Sequence, residues 1–184
     1  TAALESSQQV NSQMPLLVLA GQQTAGRGRG SNRWWSAAGS LTFSLLIDPA
    51  ILGIDQRDWP QASLTTGLAI CLALDELLDD QLFSLKWPND VLLNDRKISG
   101  VLVEAGAAAA GQLVIGIGIN VNNSFQDAPD PLPMTATSLI DTREREFPLE
   151  EVLVSVLQQL ARQLERLSSH DPALATDWQQ RSSL

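Results

Sequence analysis

Apolar and polar positions along this chain fall into short blocks that predict strands first and helices second. Leu16–Ala20 is a continuous apolar run of strand length, which predicts a strand buried on both faces. Leu41–Ile47 reads as a second strand, closed by Asp48-Pro49. Leu82–Trp87 alternates cleanly. Phe83, Leu85 and Trp87 fall on one side and Leu82, Ser84 and Lys86 on the other, so Trp87 is expected in the core and Pro88 stops the ladder. Val91–Leu93 and Lys97–Glu104, joined by the turn Asn94-Asp95-Arg96, predict a hairpin. A glycine-alanine stretch over 106–111 reads as a hairpin loop, and Leu113–Asn122 as the next strand.

Helical spacing appears elsewhere. Residues 2–13 predict a short amphipathic helix ended by Met14-Pro15. A second helix runs from Trp59-Pro60 to about Leu78, with Pro60 suited to a first turn and Leu64, Leu68 and Leu72 in its buried stripe. From about Pro148 to Leu167, apolar residues from Val152 through Val156, Leu160 and Leu164 to Leu167 share one side, which predicts a packing helix. A short helix around Ala173–Gln180 ends the pattern, and residues 123–136 form a Pro- and Asp-rich loop. The order of elements, without internal repeat, predicts an α+β fold. Its centre is a mixed, mostly antiparallel β-sheet with helices packed on one face, a single domain over residues 1–184.

Composition narrows the function classes. With 44% hydrophobic and 18% charged residues, the chain belongs with globular proteins rather than disordered ones. No apolar run approaches the roughly 20 residues that span a bilayer, and no basic leader precedes the core, so a cytoplasmic protein without membrane contact is expected. The single cysteine, Cys71, sits among Leu68, Ile70 and Leu72 and reads as a buried hydrophobe. His170 is the only histidine, which leaves little for a zinc site or a Ser-His-Asp triad; it is expected at a helix C-terminus on the surface. The formal net charge of −9 argues against nucleic acid as a partner.

Against that acidity, Gln23-Thr24-Ala25-Gly26-Arg27-Gly28-Arg29-Gly30 sets two arginines among three glycines. Guanidinium forks suit phosphate oxygens and carboxylates, and glycine lets the backbone approach a ligand, so the stretch describes a loop that closes over an anion. Ten of the twelve basic residues are arginine; the two lysines are Lys86 and Lys97. No G-x-x-x-x-G-K-[ST] occurs, and Gly116-Ile117-Gly118 lacks the third glycine of a dinucleotide fingerprint. Gly116 and Gly118 lie within a predicted strand, where glycine weakens packing unless something approaches the backbone.

Four segments occur in one order: Gln22–Arg33 with Trp34, then Lys86-Trp87-Pro88-Asn89-Asp90, then Arg96–Glu104, and finally Gly116–Asn122. Together they resemble the catalytic domain of biotin protein ligases (biotin–[acetyl-CoA-carboxylase] ligases), over nearly the whole chain. The resemblance implies a class II synthetase-like biotin/lipoate ligase catalytic fold. It implies biotin and ATP as substrates with Mg2+ arriving on the nucleotide, activation of biotin as biotinyl-5′-AMP, and transfer to one lysine of a biotin carboxyl carrier protein or domain. It implies Lys97 as the cation between biotin carboxylate and α-phosphate, with Arg27 and Arg29 closing over the adenylate. Asp90 would orient the site or accept a proton. Gln23, Gly26, Gly100, Gly116 and Gly118 would join Arg27 and Lys97 around biotin. Arg29, Trp34, Lys86, Asn89 and Asn120 would serve the nucleotide, with Trp34 stacked on adenine. Trp35 and Trp59 are left to packing.

The chain departs from that pattern in three places. Gly30-Ser31-Asn32-Arg33 follows the arginine loop where many members carry further basic residues. The Ser-Thr-Asn segment that lines the biotin pocket, and the C-terminal SH3-like domain, are both expected to be missing. A homodimer stays open as an assembly. Three other readings are kept: a lipoate or octanoate ligase or transferase, a non-catalytic biotin- or adenylate-binding protein, and an RNA-binding module.

Overall fold

The computed structural model of the chain describes residues 14–80, 83–105, 111–126 and 128–183. The helix expected over 2–13, Leu82 and most of the glycine-alanine loop lie outside these residues.

One six-stranded sheet is built from β1 (Leu16–Ala20), β2 (Leu41–Ile47), β3 (Phe83–Lys86), β4 (Asp90–Leu93), β5 (Arg96–Ala105) and β6 (Leu113–Ile119), in the order β1-β2-β6-β5-β4-β3. Each neighbouring pair of these strands is antiparallel. The helices are α1 (Ala62–Leu78), entered through a 3-10 turn over Gln56–Gln61, then α2 (Leu132–Thr135), α3 (Leu139–Arg143), α4 (Leu149–Ser168) and α5 (Ala173–Arg181). α1 lies against β3, β4 and β5, and α4 packs on α1. Their apolar sides share one core with Phe43, Ile115, Ile117, Val101 and Phe83 from the sheet. Cys71 is buried within α1, and burial pushes its thiol up to about 12, so it is inert packing as its neighbours predict.

Cross-strand partners share a face. Ala20, Thr42, Gly118, Gly100, Asp90 and Lys86 therefore form one row across all six strands, on the face turned away from the helices. Val18, Ser44, Gly116 and Leu102 form the next row. Glycines paired across β5 and β6 leave bare backbone in the middle of this face.

A bulge breaks the alternation of β5. Val91 pairs with Ser99 but Leu92 pairs with Lys97, which makes Ile98 the extra residue. In an unbroken strand Ile98 would share the face of Gly100, and Lys97 would point into the helices. The bulge sends Ile98 into the core, fully buried, and brings Lys97 beside Gly100.

Several expectations change. β1 occupies the predicted residues but pairs only with β2, so it is an edge strand, half-buried rather than enclosed, with Leu19 55% exposed. Its apolar run has a partner on each face: Leu17 meets the main core, while Leu16 and Val18 join Leu46 and Val114 in a small second cluster. Trp87 is not core; it is 71% exposed. The β3 ladder ends at Lys86, so the alternation that placed Trp87 beside Phe83 and Leu85 no longer governs it. β6 stops at Ile119 rather than Asn122, where an asparagine network turns the chain. Two short helices, α2 and α3, were not anticipated; α3 is capped by Ser138, whose Oγ accepts from the Asp141 N–H at 3.2 Å. His170 does follow the C-terminus of α4, at positive φ, but its Nε2 also lies 3.1 Å from Asp58 Oδ2.

Candidate active site

The glycine-floored face carries a cavity of about 470 Å³, roofed by the segment 22–34. The arginine loop is a small hairpin. Trp34 N–H donates to Gly26 O at 3.0 Å and Gly28 N–H to Asn32 O at 2.8 Å, with Arg27 bridged to Arg33 and Gly30 at positive φ in the turn. Gly26 permits this closure, since a Cβ there would meet the Trp34 carbonyl oxygen at 2.4 Å. The loop is therefore folded across the cavity.

Lys97 enters from the bulge. Its Nζ lies 2.6 Å from Asp90 Oδ1, a close charge contact rather than a well-directed hydrogen bond, and 5.8 Å from the Trp34 ring centroid. Lys97 and Asp90 are both only partly exposed, at 34% and 25% of their side chains, so each charge sits beside low-dielectric surface and keeps contact with solvent. Arg27 reaches across to Glu104, with Nη2 and Oε2 2.5 Å apart. Arg29 rests its guanidinium carbon 5.9 Å from the Trp87 ring centroid. Lys97, Arg27 and Arg29 all line the one cavity.

Trp34 lies on the glycine pair: a Cβ on Gly118 would sit 2.4 Å from its Cε2, and one on Gly100 would sit 3.4 Å from its Cζ3. Its indole N–H is buried with no hydrogen-bond partner among the described residues. The ring is held there by its fit on the glycines and by the Lys97 ammonium, without a hydrogen bond of its own.

Of the residues singled out from sequence, Gln23, Arg27, Arg29, Trp34, Asn89, Asp90, Lys97, Gly100, Gly116 and Gly118 line the cavity. Gly26, Lys86 and Asn120 do not. Gly26 stands behind the loop and Lys86 is exposed beyond it. Asn120 is buried: its Oδ1 accepts from Asn123 Nδ2 at 3.1 Å, and its Nδ2 donates to the Lys97 carbonyl at 3.5 Å. Its carboxamide thus holds the backbone that carries Lys97. Asn89 is shared: it lines the cavity, yet its Nδ2 donates to Val101 O at 2.8 Å and ties the 87–89 turn to β5.

Glu104, Arg33 and Thr42 line the cavity without having been singled out. Glu104 was legible, because period-two alternation from Gly100 through Leu102 puts it on the same face. Thr42 needed the β2–β6 register, which no local pattern supplies. As for metal, the two carboxylates here, Asp90 and Glu104, are each already paired with a cation. They do not make a cage of oxygen ligands, and a divalent ion would fit only as part of a metal–nucleotide complex held through its phosphates.

The comparisons bear on this geometry. The model of the Biotin/lipoate A/B protein ligase family matches residues 1–120. The Bifunctional ligase/repressor BirA of Bacillus subtilis (strain 168) is 41% identical over 126 residues, 67% of this chain and 38% of that protein. The Biotin--[acetyl-CoA-carboxylase] ligase of Mycobacterium tuberculosis is 31% identical over 169 residues, 91% of this chain and 60% of that protein. The chain thus spans 38% and 60% of the length of these two curated relatives. Among solved structures, a biotin protein ligase from Aquifex aeolicus in complex with biotin and ATP superposes with TM-score 0.77 at 34% identity, covering 91% of this chain and 68% of that one. One from Leishmania major in complex with biotinyl-5-AMP gives TM-score 0.80 at 23% identity, over 99% and 76% of the two chains, and speaks to fold alone. The chain belongs to the Biotin/lipoate A/B protein ligase family, as a catalytic domain of the biotin protein ligase type.

Proposed function

We propose that this chain activates biotin with MgATP and passes the biotinyl group to a lysine of a carboxylase carrier domain. The observation that carries the reading is the meeting of Lys97 with Arg27 and Arg29 over a floor made by the Gly100–Gly118 pair. In the first half-reaction a biotin carboxylate oxygen attacks the α-phosphorus of ATP, and pyrophosphate leaves. Negative charge gathers on the phosphate oxygens in the transition state, where fixed cations lower the barrier most. Lys97, steered by Asp90 at 2.6 Å, supplies one such cation, and the loop arginines supply two more. In the second half-reaction the carrier lysine amine attacks the acyl carbon, the acyl–phosphate bond breaks so that AMP leaves, and the amine's proton passes to Asp90 or to solvent. Asp90 lies at the right place to steer Lys97 in both. Mg2+ belongs here as part of the nucleotide substrate, riding on its phosphates. Gly116 leaves backbone open on the floor, and Gly118 would do so once the Trp34 ring leaves its seat, which suits a flat urea ring better than the long alkyl tail of an octanoyl or lipoyl acid. A carboxylase-associated carrier in the cytoplasm completes the reading.

Pyrophosphate release tests it, with biotin, lipoate and octanoate offered in turn with MgATP. Release with biotin alone is expected, and release with lipoate or octanoate alone would transfer the chain to the other branch of its family. The Lys97→Ala variant should lose biotin-dependent release by at least about a hundredfold, the usual loss on removing one oxyanion-type donor, with circular dichroism unchanged. Mass spectrometry of a carrier domain then reads the second step as the gain of one biotinyl group.

A further inference from the structure

We infer that Trp87 is a positioning residue, the outer post on which Arg29 rests so that the arginine loop stays poised over the cavity before ligand arrives. Trp87 is among the most exposed large hydrophobic side chains of the described residues, and the end of the β3 ladder leaves it outside the core. Its partner is the Arg29 guanidinium, 5.9 Å from the ring centroid, while the same arginine lines the cavity. Trp87 itself does not line the cavity, so its part is to act through Arg29. The site's own geometry ties the post to the chemistry. Trp87 lies three residues before Asp90, and Asn89 binds the intervening turn to β5 through Val101. The turn that fixes the carboxylate beside Lys97 thus also fixes the platform for the loop. Arg27 meets Glu104 as well, so the hairpin has an ionic hold besides the aromatic one. Pre-ordering a loop lowers the entropy lost when ligand closes it.

The contact can be tested without reference to catalysis, because trypsin must take the arginine side chain into its own pocket before it cuts. In the Trp87→Ala variant, cleavage after Arg29 should rise about two- to fivefold, the worth of one exposed cation–π contact. Cleavage after the exposed Arg57 serves as internal control and should stay unchanged, and Trp87→Phe, which keeps an aromatic face, should stay near wild type. Unchanged cleavage after Arg29, or an equal rise after Arg57, overturns the inference. The second readout rests on the ligase reading: Trp87→Ala should raise KM for MgATP by the same two- to fivefold with kcat little changed. A fall in KM would mean that Trp87 competes for Arg29 instead of presenting it, and also overturns the inference. Should the unaltered chain release no pyrophosphate from biotin and MgATP, the ligase reading fails, while the trypsin comparison still decides the role of Trp87.

Discussion

At Gly118 a methyl group would lie 2.4 to 2.7 Å from three atoms of the Trp34 ring, whereas at Gly116 the nearest atom is the Leu102 carbonyl oxygen at 3.4 Å. Two glycines on one strand, two residues apart, therefore answer to different neighbours. Gly118→Ala must drive Trp34 off its seat, and overpacking of this kind costs about 1–3 kcal/mol. A lower melting temperature with a changed near-ultraviolet tryptophan signal is the expected result. Gly116→Ala meets only ordinary contact in the ligand-free fold and should melt within about 0.5 kcal/mol of the parent. If a biotin ring lies against the backbone at this point, the same methyl group should weaken biotin binding about tenfold or more, the equivalent of 1.4 kcal/mol. Titration calorimetry on the two variants separates the effects. Full biotin affinity in Gly116→Ala would take the ligand away from that part of the floor.

At the scale of the element, β5 divides its labour between adjacent residues. Ile98 is fully buried and Lys97 opens onto the cavity. Ile98→Ala should thus cost about 2–5 kcal/mol of stability, read by denaturant unfolding, while Lys97→Ala costs far less and removes the chemistry. A Lys97→Ala loss as large as that of Ile98→Ala would mean that Lys97 is a structural member of the strand. The same strand shows what a one-dimensional pattern can and cannot carry. Lys97, and the glycines of β5 and β6, were readable because this chain has only two lysines and glycine is a rare choice at strand positions. The face that Lys97 takes was not readable, because a single bulge reverses the parity of everything before it and leaves no mark in composition. Trp87 failed for a related reason: alternation predicts a side only while the ladder continues, and the ladder ends at Lys86. Asn120 looked like a ligand-facing amide, yet its carboxamide is used within the fold, as is common for asparagine where a strand turns away. Glu104 could have been found by extending the period of two from Gly100.

For the molecule as a whole, the far edge of the sheet is closed by Ser182 and Ser183. Ser183 N–H donates to Leu85 O at 2.8 Å, beside a parallel bridge from Ser182 to Leu85, so the free edge of β3 is covered just upstream of the Trp87 turn. α5 delivers these residues and is itself tied down by charge. Arg181 pairs with Asp75 of α1, and Arg166 of α4 binds Asp171 Oδ2 at 2.6 Å and Asp177 Oδ2 at 2.7 Å. The Arg166 side chain, with help from the Ala173 N–H, holds the Asp171 carboxyl below its ordinary range. A carboxylate with a depressed folded pKa stabilises the fold fully above its unfolded value of 3.8, and that contribution is lost as pH falls through the lower folded value. Arg166→Met should therefore lower the melting temperature at about pH 7, with the gap from the parent narrowing towards about pH 2 as Asp171 takes up its proton. The protection of the Ser183 amide against hydrogen exchange, taken relative to its intrinsic rate at each pH, should fall in the variant at neutral pH, and in the parent only on acidification. A gap independent of pH would show that Arg166 acts through the packing of its aliphatic stem, and that the closure of the β3 edge owes nothing to this cluster of charge.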